Sequence, residues 1–245
     1  MDDRLTLLHD VADAVAAAFT KVRDFGPSGN REGQYALDLV ADAAALAVLR
    51  DAGVGVLSEE SGFTPGTSSD VVVIDPIDGS TNASRGVPWF STSLCLVDGE
   101  GPAVALVANQ ATGERYWAVR GGGAWRDEAA VRPSGCTDVS KAIIGLNGLP
   151  HRSAGAAQVR MFGAIALDLC LVAEGVFDGY VDCVLDSHGP WDYMAGVLIL
   201  REAGGVIVDL RGRDLVAIEH DARRTPIAAA TPELLATLLH ARTDG

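Results

Sequence analysis

Apolar positions along the chain follow two periods, and the switches between them divide the sequence into elements. Leu5, Leu8, Val11, Ala12, Val15 and Phe19 recur at helical spacing, which predicts an amphipathic helix over residues 4–22. Residues 24–33 are rich in Gly, Pro, Ser and Asn and read as a loop, followed by a short extended piece at 35–39. Ala and Leu dominate 39–50, a second helix that Gly53 ends. Apolar runs at 54–57 and 71–74 read as strands, with a flexible connection over 62–69 between them. Residues 89–97 and 103–108 read as two strands joined by the turn Asp98-Gly99-Glu100-Gly101-Pro102. A third strand, 115–119, runs into Gly121-Gly122-Gly123. That glycine cluster lacks the Lys-Ser/Thr of a phosphate loop and the spacing of a dinucleotide fingerprint, so it is read as a hairpin.

Arg132-Pro133-Ser134-Gly135 marks a boundary between an N-terminal half, 1–133, and a C-terminal half, 134–245. The second half reads as strand 142–145, helix 163–174, strand 179–182, helix 192–203, strands 206–208 and 227–230, and helix 232–242. Antiparallel strands in the first half and alternating helix and strand in the second predict layered α and β structure rather than a barrel.

Composition narrows the partners. With 245 residues, 48% hydrophobic and 21% charged, the chain is long enough for a sizeable core. Its net charge of −14 argues against nucleic-acid binding by phosphate neutralisation. The same charge repels a phosphorylated ligand unless a metal or helix N-termini attract it locally. Apolar runs such as 197–200 are too short to span a bilayer, and Met1-Asp2-Asp3-Arg4 is not a signal-peptide start. Cys95, Cys136, Cys170 and Cys183 form no CxxC pair and suit a reducing compartment. A cytoplasmic protein with no nucleic-acid or membrane partner is expected.

Candidate chemistry centres on residues 71–81. A buried strand delivers Asp75, turns through Pro76, presents Asp78 and ends in Gly79-Ser80-Thr81. Two carboxylates so close repel unless a cation lies between them. Gly79 allows close backbone approach, and Ser80 or Thr81 can cap a helix whose free amides attract an anion. A divalent metal beside a phosphate uses all of these groups; an ordinary Asp-Pro-Gly turn is the plainer alternative. Glu59 follows the strand at 54–57, and Asp192 opens the helix at 192–203, where it could instead serve as an N-cap. Hard carboxylate oxygens suit Mg²⁺; no His/Cys cluster suggests zinc, and no G-x-S-x-G elbow suggests a serine nucleophile.

Ser58-Glu59-Glu60-Ser61, Asp75-Pro76-Ile77-Asp78-Gly79-Ser80-Thr81 and Trp191-Asp192-Tyr193-Met194-Ala195-Gly196 followed by Glu202-Ala203-Gly204-Gly205 resemble the inositol monophosphatase family in order and spacing. With Gly163-Ala164 and Asp178-Gly179-Tyr180, the likeness covers about residues 38–209. The resemblance implies a layered α/β/α/β/α sandwich, of the inositol monophosphatase and fructose-1,6-bisphosphatase type, and a homodimer. It also implies a lithium-sensitive phosphomonoesterase using two or three Mg²⁺. By position, Glu59, Asp75 and the carbonyl oxygen of Ile77 would hold one Mg²⁺, and Asp75, Asp78 and Asp192 the second. Glu59 and the Ser80 hydroxyl would orient the attacking water. The amides of Gly79, Ser80 and Thr81 would bind phosphate, and Gly163, Ala164 and Asp182 would meet the substrate.

Two departures from the family's pattern stand out. A Thr-x-x-Asp-like segment is missing, and Asp38 is favoured over Asp42 as the supporting carboxylate on its spacing to Glu59. The segment from Asp182 to Asp192 is about three residues longer than in inositol-specific members, so Asp182, Asp186 and His188 could equally form a solvated loop. The implied substrate is a small polyol, cyclitol or sugar phosphate. Histidinol phosphate would need an acidic pocket, for which Asp182 and Asp186 are available, and fructose 1,6-bisphosphate is a further rival. A 3′-phosphonucleotide has little room in so short a chain. From another class, the chain could be a catalytically silent metal- or phosphate-binding module.

Overall fold

Alternation along the central strands sorts their side chains onto two faces, and that sorting builds the layers. The computed structural model describes residues 2–22, 25–30, 34–151 and 154–243. In chain order its elements are α1 (Asp3–Phe19), α2 (Ala36–Ala52), β1 (Gly55–Ser58), β2 (Gly62–Thr64), β3 (Val71–Asp78) and α3 (Ser80–Arg85). Then come β4 (Ser91–Asp98), β5 (Gly101–Asn109), β6 (Arg115–Val119), β7 (Ala124–Arg126), β8 (Ala129–Ala130), β9 (Ile143–Asn147) and β10 (Gln158–Arg160). The chain finishes with α4 (Ile165–Glu174), β11 (Gly179–Asp182), α5 (Pro190–Ala203), β12 (Val206–Asp209), β13 (Pro226–Ala229) and α6 (Pro232–Thr243).

The first sheet has eight strands in the order β2-β1-β3-β4-β5-β6-β7-β8, antiparallel except for the parallel β1/β3 pair. Val72, Ile74, Leu94, Leu96 and Leu106 face α1 and α2 in one core. Leu57, Val73, Cys95 and Val107, one residue out of phase, face α4 and α5 in another. The second sheet, β10-β9-β11-β13-β12, closes over the far side of those two helices with Tyr180, Ile207 and Ala228. Leu234, Leu235 and Leu238 of α6 cover its outer face. The layers are therefore helix pair, sheet, helix pair, sheet, helix, as the resemblance implies. Among the described residues no helix is long and apolar enough to cross a membrane.

Several expected boundaries move. The extended piece at 35–39 is instead the start of α2: the Asp38 carboxylate accepts the Tyr35 backbone N–H at 2.8 Å and begins the helix there. The flexible connection at 62–69 begins with β2, which pairs with β1 in a tight hairpin. The strand at 71–74 runs on to Asp78. Neither Ser80 nor Thr81 caps α3; Gly79 does so in the left-handed region, and Ser80 is the first helical residue. The helices expected at 163 and 192 start at Ile165 and Pro190, the latter because Pro at the first helical position fixes the backbone without losing a bond. The loop expected over 24–33 lies partly outside the described residues.

Candidate active site

Parallel pairing of β1 with β3 sets Ser58 opposite Ile74, so Glu59 emerges beside Asp75. In a regular strand Asp75 and Asp78 would face opposite sides. A bulge prevents this: Asp75 pairs with Ser93 but Asp78 with Ser91, and the extra residue turns both carboxylates toward α4 and α5. Helix α5 then supplies Asp192 at its third position, where the carboxylate accepts the Gly189 N–H at 2.7 Å. That is the reach-back bond of a capping arrangement, not an N-cap.

Carboxylate oxygens of Glu59, Asp75 and Asp192 lie within 4.8 Å of one another. Asp78 stands outside this trio, with one oxygen accepting the Ala166 N–H at 2.8 Å. Burial, then the neighbouring Glu59, Asp78, Asp192 and Asp38 charges, push the Asp75 carboxyl well above the usual range. Burial and Asp192 do the same to Asp78. Asp192 is pushed up to about 8, chiefly by burial and Glu59; an Arg223 guanidinium opposes the rise. Carboxyls this crowded hold protons unless a cation replaces them. The Ile77 N–H holds one Asp75 oxygen at 2.9 Å, and the donor set is all hard oxygen, so these residues fit Mg²⁺.

The remaining expected residues arrange themselves around this trio. Asp38 is buried and near enough to Asp75 to raise its proton affinity, whereas Asp42 accepts the Ser58 hydroxyl at 2.5 Å and braces the end of β1. Ile77 lies in the bulge with its side chain in the core under α1 and α2. Gly79 has φ +86°, and a Cβ there would stand 3.0 Å from both the Ala164 Cβ and the Trp89 carbonyl oxygen, and 3.3 Å from the Gly163 oxygen. Gly79 and the segment Gly163-Ala164 thus meet face to face. Asn82 adds a clamp, its amide donating to the Trp89 and Phe162 carbonyls at 2.8 and 2.7 Å. The Thr81 hydroxyl lies 3.2 Å from the Tyr35 hydroxyl.

Asp182 and its neighbours are not a solvated loop. Pairing of Asp182 with Asn147 draws it inside the second sheet, where it is fully buried. Its oxygens accept from the Asn147 amide at 3.0 Å, the Val184 N–H at 2.9 Å and the Ser187 hydroxyl at 2.8 Å. Asp186 is paired with Arg211 at 2.7 Å and Arg213 at 2.6 Å. His188 is half-buried between Asp182, 3.6 Å away, and Asp192, 3.8 Å away; its desolvation pushes its pKa down to about 4, so the ring is neutral.

Between Asp78 and Asp192 on one side and Asn147 and His188 on the other lies a cavity of about 110 Å³, also lined by Gly163, Ala164, Asp168 and Tyr180. Asn147 and Asp168 were not foreseen in the sequence. Asp168 left a signal, as the lone acid between Ile165 and Val172 in an otherwise apolar helix; Asn147 left none.

The sequence pattern of the inositol monophosphatase family matches residues 11–244. The chain belongs to that family. A fructose-1,6-bisphosphatase/inositol-1-monophosphatase of Archaeoglobus fulgidus is 35% identical, covering 98% of both chains. An inositol-1-monophosphatase of Mesorhizobium japonicum is 34% identical, covering 82% of this chain and 84% of its own. Among solved structures, a Pyrococcus horikoshii protein with similarities to inositol-1 monophosphatase superposes with a TM-score of 0.84, at 27% identity, over 97% of this chain and 96% of that one. Membership in the inositol monophosphatase family agrees with the five layers and with the acidic trio that follows β1, lies within β3 and opens α5.

Proposed function

We propose that this protein hydrolyses a small phosphate monoester of a polyol, cyclitol or sugar, with Mg²⁺ held by Glu59, Asp75, Asp78, Asp192 and the Ile77 carbonyl. The observation that carries the reading is the convergence of Glu59, Asp75 and Asp192 oxygens within 4.8 Å. Asp38 stands behind them to support a water or a third ion. When bound, the cations make water nucleophilic near neutral pH and steady the leaving oxygen. Glu59 and the Ser80 hydroxyl orient that water for in-line attack. The first turn of α3 leaves its amides without intrahelical acceptors, and those of Gly79, Ser80 and Thr81 receive the phosphate oxygens. Gly163 and Ala164 form the wall on which the substrate rests. Asp182 acts indirectly, by holding Asn147.

An amine-bearing ester such as histidinol phosphate fits less well, because Asp182 and Asp186 are both engaged by protein partners. Fructose 1,6-bisphosphate is the second reading, favoured by the paired name of the A. fulgidus relative. We further infer a cytoplasmic homodimer that Li⁺ inhibits; exposed Leu149, Val159 and Met161 beside the edge strand β10 offer an apolar face for a second copy. The deciding experiment is inorganic phosphate release from myo-inositol 1-phosphate, histidinol phosphate, fructose 1,6-bisphosphate and a 3′-phosphonucleotide, with Mg²⁺ or with EDTA. Turnover of a polyol or sugar ester with Mg²⁺ alone is expected. Folded protein that binds Mg²⁺ yet releases no phosphate would establish a silent binding module instead.

A further inference from the structure

Asp168 is a buried acid for which the catalytic scheme has no task. It is 2% exposed in the first turn of α4, among residues that are otherwise apolar and buried. The Trp89 indole N–H donates to its Oδ1 at 2.9 Å. Among the described residues no other donor meets the carboxyl, although the residue lines the cavity beside Asp78 and Asp192. A carboxyl on a cavity wall with acceptor capacity that no protein donor uses is placed to take a hydrogen bond from whatever fills the cavity.

The rest of the cavity wall describes that ligand. Tyr180 offers a hydroxyl 3.4 Å from His188 Nε2, and Asn147 offers a side-chain amide whose NH₂ donates to Asp182. These neutral groups both donate and accept, as alcohol hydroxyls do. A second anionic group on the alcohol portion would meet the Asp168 carboxyl, and no Lys or Arg side chain lines the wall to pair with it. At about 110 Å³ the cavity is well under the ~300 Å³ at which drug-sized sites begin, so it takes a few carbons of a polyol rather than a nucleobase.

We propose that Asp168 reads a hydroxyl of the substrate's alcohol portion, accepting its hydrogen bond at the oxygen Trp89 leaves free, and so selects polyhydroxylated esters over hydroxyl-poor ones. This rests on the phosphomonoesterase reading above. Burial also pushes the Asp168 carboxyl up to about 7, so the group is not a fixed anion near neutral pH and does not by itself demand a cation.

The test compares kcat/KM for myo-inositol 1-phosphate with that for phenyl phosphate, in the wild type and in Asp168→Asn. The variant keeps the Trp89 acceptor but places an NH₂ donor where the free oxygen stood. The polyol-to-phenyl ratio is expected to fall fivefold or more; a smaller change overturns the proposal, since a merely structural role lowers both rates together. Should Asp168→Asn fold poorly, a wild-type measurement decides: at least one singly deoxygenated inositol phosphate must lose fivefold or more against the parent ester. Equal rates across the deoxygenated series overturn the assignment. Failure of the wild type to hydrolyse either ester, or fructose 1,6-bisphosphate, would sink the phosphatase reading itself, an outcome distinct from an unchanged ratio.

Discussion

Asp78 Oδ2 accepts the backbone N–H of Ala166 at 2.8 Å, joining a carboxylate of β3 to the first turn of α4 across 88 residues. That N–H is one of those a helix start leaves without an intrahelical partner, at the end of the helix that favours negative charge. The site is therefore built between strands of the first sheet and helices packed beneath the second, and neither set of elements forms it alone.

Replacing Asp192 with Asn should abolish turnover while leaving the fold intact. Its carboxylate is one of the three that converge, and the loss should exceed the ~10–100-fold typical of an outer partner of a metal ligand. Phosphate release and circular dichroism check this; a variant with near wild-type rate would remove Asp192 from the metal set.

Mg²⁺ should stabilise the protein more as pH rises. Asp75, Asp78 and Asp192 all have raised proton affinity in the metal-free fold, the last to about 8. Their contribution is therefore fully present below the ordinary carboxylate range and is lost as pH climbs through about 8. Bound cations replace those protons and cancel the loss. At a hundredfold excess over Kd the gain is about 2.7 kcal/mol, or roughly 5–10 °C in Tm for a chain of this size. Thermal melts with Mg²⁺ and with EDTA at pH 6 and pH 8.5 measure it. Equal melting in both at pH 8.5 would contradict a metal held by these carboxylates.

Gly79→Ala should lower both stability and activity. The residue sits at φ +86°, and the new methyl would press on the Ala164 Cβ and the Trp89 carbonyl, both 3.0 Å away. Backbone strain of this kind costs about 1–3 kcal/mol. Denaturant unfolding and kcat report the two effects; a variant unchanged in both would show that Gly79 and Ala164 are not held in contact.

Asp168→Asn should shift stability in a pH-dependent way. The folded carboxyl is raised to about 7 from an ordinary 3.8, so Asp168 adds to the wild type a loss of stability as pH rises from about 4 to about 7 that the variant, which keeps the other raised carboxyls, lacks. The difference should grow in the variant's favour by on the order of 1–4 kcal/mol over that range. Unfolding of both proteins in EDTA at pH 4.5 and pH 7.5 tests it, and a pH-independent difference would mean that Asp168 ionises freely in the fold.

The sequence alone determined the elements with strong periodicity and the motifs that carry oxygen ligands. Leu5 to Phe19 declared a helix, 71–74 a strand, and the order of Glu59, Asp75, Asp78 and Asp192 the family, because side-chain period and local turn chemistry are properties of neighbouring residues. Tertiary structure decided what depends on residues far apart. A bulge against β4 turned Asp78 onto the face of Asp75, and pairing with Asn147 buried an Asp182 that local polarity would have left in solvent. Gly79 reads as an ordinary turn glycine until Ala164 and the Trp89 carbonyl close on it. Asp168 acquires a role only because α4 carries it to a cavity whose opposite wall comes from β9, β11 and the start of α5. Local chemistry named the groups; long-range packing fixed which of them share a space and which way each carboxylate points.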